Sequence, residues 1–257
     1  MSEKAFDFKK EYKDLYMPKD EPVLIDVPAM KFLMVDGNGD PNHNPDFQQA
    51  TELLYGLSHT IRMSKKKGKQ PDGYFEYVVP PLEGLWWIEE GSFSFEQRDN
   101  WKWTLMIRQP EFVNEEVVQW ASHELMRKKP ELAGKKARFE TFEEGLCVQI
   151  MHIGPYSTEP KTMKKVEAFL LKNGLKDRLY RDGKHHEIYL RPQKMQARKH
   201  ENGTQASGGK RLIRRAQGDD LSVLAKFPVH KPESMVIFIF YMFVRLTHGI
   251  RIKDNDE

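Results

Sequence analysis

The order of apolar and polar positions along the chain switches between two periods. Lys31–Asp36 is a short apolar run that stops at Gly37-Asn38-Gly39-Asp40-Pro41, as a strand ending in a turn does. From Pro45 to Met63, Phe47, Ala50, Leu54, Leu57 and Ile61 recur at helical spacing, with Asn44 before Pro45 as the start signal. Tyr74–Val79 and Leu85–Ile88 are aromatic and β-branched and predict strands around the Pro80-Pro81 turn. In Trp101–Arg108 alternation places Trp101, Trp103, Leu105 and Ile107 on one side and Lys102, Thr104 and Met106 on the other. Asn114–Lys128 reads as an amphipathic helix capped by Asn114, with Glu115-Glu116 where the helix dipole favours them. Residues 1–27 predict an arm with a short helical piece around Phe8–Tyr16, and Lys65–Gly73 a solvated basic loop.

The pattern then returns. Leu146–Ile153 predicts a strand, Gly154-Pro155-Tyr156 a turn, Glu159–Asn173 a helix and His185–Leu190 another strand. Phe32–Met63 and Cys147–Leu175 share the succession strand, Gly-containing turn, proline, amphipathic helix. The expected fold is α+β: a pseudo-symmetric pair of duplicated β-α-β-β modules. Their joined antiparallel sheet would carry helices on one face and a ligand cleft on the other.

Residues 1–193 are expected to form this domain. Residues 194–257 lack sustained period, contain Ser207-Gly208-Gly209, and carry a stray apolar run, Met235–Val244, far short of a membrane helix. They read as a frame-shifted or disordered tail. Met195–Gly209, MQARKHENGTQASGG, can be back-translated so that dropping one base gives CKPENMKTVLRHPV, which contains an alternating strand. On that reading the second module lacks its last strand and leaves an open edge.

The net charge of +3 arises in the tail, where 12 Lys/Arg face 7 Asp/Glu; the rest is slightly acidic, which argues against nucleic acid as a partner. A single cysteine, Cys147, excludes a disulfide framework within the chain and a cysteine-based zinc site. With a polar start, Met1-Ser2-Glu3-Lys4, the expected compartment is the cytoplasm, with no membrane partner.

Long motifs resemble the GyrI-like small-molecule-binding proteins, above all their stand-alone bacterial branch: FDFKKEYKDLYMPKDEP (6–22), DVPAMKFLMVDGNGDPN (26–42), YFEYVVPPLEGLWW (74–87), WKWTLMIRQPEFV (101–113), ARFETFEEGLCVQIMHIGPY (137–156) and HHEIYL (185–190). The resemblance covers nearly all of residues 1–192. The family usually closes with a segment resembling CKPENMKTVLRHPV. The resemblance implies two modules around a ligand cleft. It also implies either binding of bulky, flat, often cationic compounds, or hydrolysis of strained cyclopropane electrophiles as in some stand-alone members.

Glu187 is the first candidate for chemistry. It lies mid-strand with His185 and Tyr189 on its own face, and the resemblance places an acidic pocket residue at this motif. A carboxylate there attracts a cation or, desolvated, serves as a general base for water; otherwise it is a surface carboxylate on the open sheet. Tyr55, beside the apolar stripe of helix 45–63, is the candidate to polarise a leaving oxygen, or else a flanking core tyrosine. Trp86, Trp87 and Trp103 offer flat stacking surfaces, with plain core packing as the alternative for some. Tyr156 at the turn, Met106 as an adaptable lining residue and His152 complete the candidate ligand-binding set, with His152 read first as a core histidine. His185-His186 lacks metal spacing because strand neighbours point to opposite faces. No metal or cofactor is expected. The oligomeric state is not readable from the sequence.

Overall fold

The computed structural model describes residues 4–89, 98–177, 184–190 and 235–246. The elements, in order, are α1 (Phe8–Glu11), α2 (Lys13–Tyr16), β1 (Val23–Val27), β2 (Met30–Asn38), α3 (Pro45–Arg62), β3 (Leu82–Trp87), β4 (Lys102–Arg108), α4 (Glu115–Lys128), β5 (Arg138–Phe142), β6 (Gly145–Pro155), α5 (Glu159–Lys172), β7 (Leu175–Asp177), β8 (His185–Leu190) and β9 (Met235–Leu246). The helix starts follow their caps. The Asn44 side chain accepts from the Asp46 amide with Pro45 behind it, and Asn114 accepts from the Val117 amide.

The fold is mixed α and β on an antiparallel sheet, ordered β1-β6-β9-β8-β3-β4-β2-β5, with β7 on β9. The order is symmetric about the β8–β3 seam: on each side follow an inner strand, a helix-preceding strand and an edge.

Alternation along the strands separates two faces. On one, Leu33, Val35, Trp86, Trp103, Leu105 and Ile107 pack against α3 and α4, while Val148 and Ile150 pack with Val166 and Leu170 of α5. On the other, Phe32, Met34, Leu85, Met106, Cys147 and Ile188 pack with Phe8, Leu15 and Tyr16 of the N-terminal arm and with Tyr77. The structure places the N-terminal arm on the face expected to carry the ligand cleft. The arm covers that face, because the central strands are apolar on both sides and α1 and α2 supply the aromatic rings.

One further expectation is corrected. Tyr74–Val79 forms no ladder strand; Tyr77 makes an isolated bridge to Phe6, since both edges of β3 are taken by β4 and β8. Within residues 194–257 the structure describes one strand. Met235–Leu246 lies between β6 and β8 and pairs antiparallel with both. The physical reason is that two adjacent strands otherwise present unpaired edges, and this apolar run is a β-former able to satisfy them. Residues 194–234 and 247–257 lie outside the described residues.

Candidate functional site

Strand β8 sits at the seam, where its register sets Glu187 opposite Gly84 of β3 and Phe240 of β9. Its alternation divides HHEIYL between the faces. Ile188 joins the arm-side core, while Tyr189 packs where the α3/α4 core and the α5 core meet. Glu187, sharing Tyr189's face, therefore lies on the helix-bearing side and is 2% exposed.

The Tyr189 hydroxyl donates to Glu187 Oε2 at 2.6 Å and accepts from Trp86 Nε1 at 3.0 Å. His185 Nε2 lies 3.3 Å from Glu187 Oε1. Gly84 makes this relay fit. A Cβ there would stand 2.9 Å from Trp86 Nε1 and 3.1 Å from the Tyr189 hydroxyl. Burial, then the neighbouring Glu187 charge, pushes the Tyr189 phenol far above its ordinary pKa, so it stays a donor.

Glu159, the first residue of α5, completes the cluster and was not singled out by the sequence. It is 2% exposed, and one ligand atom each from Glu159, His185 and Glu187 all lie within 4.8 Å of one another. Burial and the Glu187 charge, against Arg98, push its carboxyl up to about 9. The signal for it was present: a carboxylate directly after Gly154-Pro155-Tyr156-Ser157-Thr158, in the first turn of a helix. Only the fold brings it to β8.

The other candidates separate. Trp86 belongs to the relay and stacks on Phe47 at 5.9 Å. Tyr156 is buried in the α5 core, close enough to be felt by Tyr189. His152, on the same face, has Nδ1 2.7 Å from Thr162 Oγ1, and burial lowers its pKa. Trp103 is fully buried in the α3/α4 core, its ring against Gly37 and 5.2 Å from Phe47. Tyr55 flanks that core beside His59. Trp87 and Met106 face the arm, on the opposite side of the sheet from Glu187.

That opposite side holds a second polar cluster. His186 Nδ1 lies 2.6 Å from Glu144 Oε2 and Nε2 lies 3.1 Å from Glu83 Oε2, all three residues being buried. Tyr16 of the arm donates to Glu83 at 3.4 Å. Burial pulls the His186 pKa down, but the two carboxylates outweigh it and raise it to about 10. The imidazolium thus ties β8 to β3 and to the turn before β6, and Glu83 in turn receives the arm through Tyr16.

The family model for the GyrI-like small molecule binding domain matches residues 20–202. The chain belongs to this family. Its fold is shared with two solved structures from Listeria innocua. One is a conserved protein, 39% identical, with 93% of this chain and 100% of that one covered and a TM-score of 0.73. The other is a hydrolase, also 39% identical, with 94% and 100% covered and a TM-score of 0.73. A comparison with curated proteins finds no match. Among the described residues no helix is long and apolar enough to cross a membrane.

Proposed function

We propose that the chain binds hydrophobic, planar or cationic small molecules at the β8 seam, with Glu187 as the anionic floor. The observation that carries this reading is a carboxylate buried on the helix-bearing face among Trp86, Tyr156 and Tyr189. Its negative charge in a low-dielectric surrounding attracts a cation strongly, and aromatic rings contribute to binding flat or cationic ligands. Membership of a small-molecule-binding family supports it. A planar cationic dye of the rhodamine type, titrated into wild-type and Glu187→Gln protein, tests it. The expected result is a Kd at least about tenfold weaker in the variant, roughly 1.4 kcal/mol. Equal affinities remove Glu187 from the reading.

A second reading is hydrolysis of a strained, cyclopropane-type electrophile. The observation in its favour is a buried carboxylate oriented by a phenol: Tyr189 donates its one proton to Glu187 Oε2, Glu187 takes a proton from water through its other oxygen, and a second hydroxyl stabilises the oxygen that gains charge. Tyr55 on α3 is the candidate for that second hydroxyl, since the Tyr189 proton is committed to Glu187. The likeness to a Listeria hydrolase supports it. Incubation with a cyclopropane-containing alkylator, followed by mass analysis, tests it; no ring-opened product above background ends it.

A further inference from the structure

We propose that Glu159, His185 and Glu187 form a divalent transition-metal site. His185 and Glu187 stand two apart on β8 and so project from the same face, and Glu159 reaches them from the start of α5. The set therefore comes from two regular elements rather than from loops. Zinc bonds of ~2.0–2.1 Å in tetrahedral geometry place neighbouring ligand atoms about 3.3 Å apart. The separation of His185 Nε2 and Glu187 Oε1 is 3.3 Å, and all three ligand atoms fall within 4.8 Å.

A second observation points to an occupant. Glu159 Oε1 is buried and has no hydrogen-bond partner among the described residues. A buried carboxylate oxygen without a donor is costly, and a second buried carboxylate beside it adds to the cost. A dication between them satisfies the orphaned oxygen and neutralises both charges.

The donor set, two carboxylates and one imidazole with no thiolate, suits Zn²⁺, Mn²⁺, Co²⁺ or Fe²⁺ rather than a soft ion; Cys147 faces the other side of the sheet. The Tyr189 hydroxyl on Glu187 Oε2 supplies the outer hydrogen bond that orients a ligating carboxylate. Three protein ligands leave a coordination position open, the arrangement of sites where a metal meets water or substrate.

The proposal shares Glu187 with the binding reading but does not rest on it. The test uses the full chain, stripped with EDTA, dialysed, and titrated separately with Zn²⁺, Mn²⁺ and Co²⁺. Bound metal is counted by elemental analysis after gel filtration, and Co²⁺ is followed by its visible spectrum. One ion per chain is expected, with the intense d–d bands of a four- or five-coordinate site. Glu159→Gln and Glu187→Gln are each expected to weaken uptake at least about a hundredfold, beyond the usual effect of losing an outer-shell partner. Glu111→Gln, at the exposed end of the Lys31–Glu111 pair, leaves uptake unchanged.

The proposal is overturned if none of the three ions binds stoichiometrically, or if uptake survives both glutamine variants or is lost in Glu111→Gln. Should a glutamine variant fail to fold, the wild-type spectrum decides: weak octahedral bands alone overturn it. Dye affinity measured in EDTA separates the two ideas. Dye binding lost in Glu187→Gln without any metal uptake retains the binding reading and ends this one.

Discussion

Tyr189 holds Glu187 at 2.6 Å through its hydroxyl, and the same hydroxyl is itself held by Trp86 at 3.0 Å. A buried carboxylate is tolerable only when donors reach it, and here the donor is two residues away on the same strand. Replacing Tyr189 with Phe removes that donor and leaves the indole N–H without its acceptor. We expect a loss of about 2 kcal/mol, in the range for a hydrogen bond to a charged group. Trp86→Phe, which spares the bond to Glu187, is expected to lose less of that polar contribution in urea unfolding if cavity effects are matched by a Trp86→Leu comparison.

The Trp86–Tyr189 contact depends on the missing side chain at Gly84. An added methyl group meets both polar atoms at or near 3.0 Å, so one must move. Gly84→Ala is expected to cost about 1–3 kcal/mol, the usual range for overpacking, and to shift the indole emission. An unchanged melting temperature together with unchanged emission contradicts the relay.

On the far side of the same strand, His186 is clamped by Glu83 and Glu144. His186→Leu strands two buried carboxylates without their cation, and a loss of about 3–5 kcal/mol is expected in chemical denaturation. The arm should loosen with it, seen as faster proteolysis near Tyr16. A loss under about 1 kcal/mol contradicts a charged clamp.

Cys147 is buried beneath the arm, and burial, then Glu144 and Asp26, pushes its thiol far above the ordinary range. Since the thiolate is the reactive form, a raised pKa means less of it at neutral pH. A thiol-specific reagent at pH 8 should leave the native chain untouched and titrate one thiol in denaturant. Rapid native labelling contradicts the packing.

The frame-shift reading of the tail makes its own prediction. A chain in which residues 195–257 are replaced by CKPENMKTVLRHPV should place an alternating strand in the slot now held by β9. We expect it to melt several degrees higher and aggregate less than the present chain. Equal melting temperatures count against the shift.

Much of this architecture was legible where periodicity was strong. Asn44, Pro45 and the stripe from Phe47 to Ile61 define α3 to within one residue, and HHEIYL places Glu187 on a strand as expected. What failed has physical causes. Val23–Val27 reads as arm because an edge strand, exposed at Val23 and Leu24, shows no clean alternation. Tyr74–Val79 has strand composition but no free edge to join. That Glu187 faces the helices was not readable, because strand periodicity says which residues share a face, not which face the helices take. Glu159 escaped notice for a similar reason: its place in the cluster depends on a helix start meeting a strand distant in sequence.

The position of β9 bears on how the chain folds. The strand between β6 and β8 is the last described segment to leave the ribosome, so Met151 and Ile188 must wait for Ile239 before their shared ladder exists. Contacts this remote in sequence close slowly, and until they do two bare edges are open to any other extended chain. Synthesis at lowered temperature or with added chaperone should therefore raise the soluble yield more than any change in the α3/α4 half, whose partners are already present.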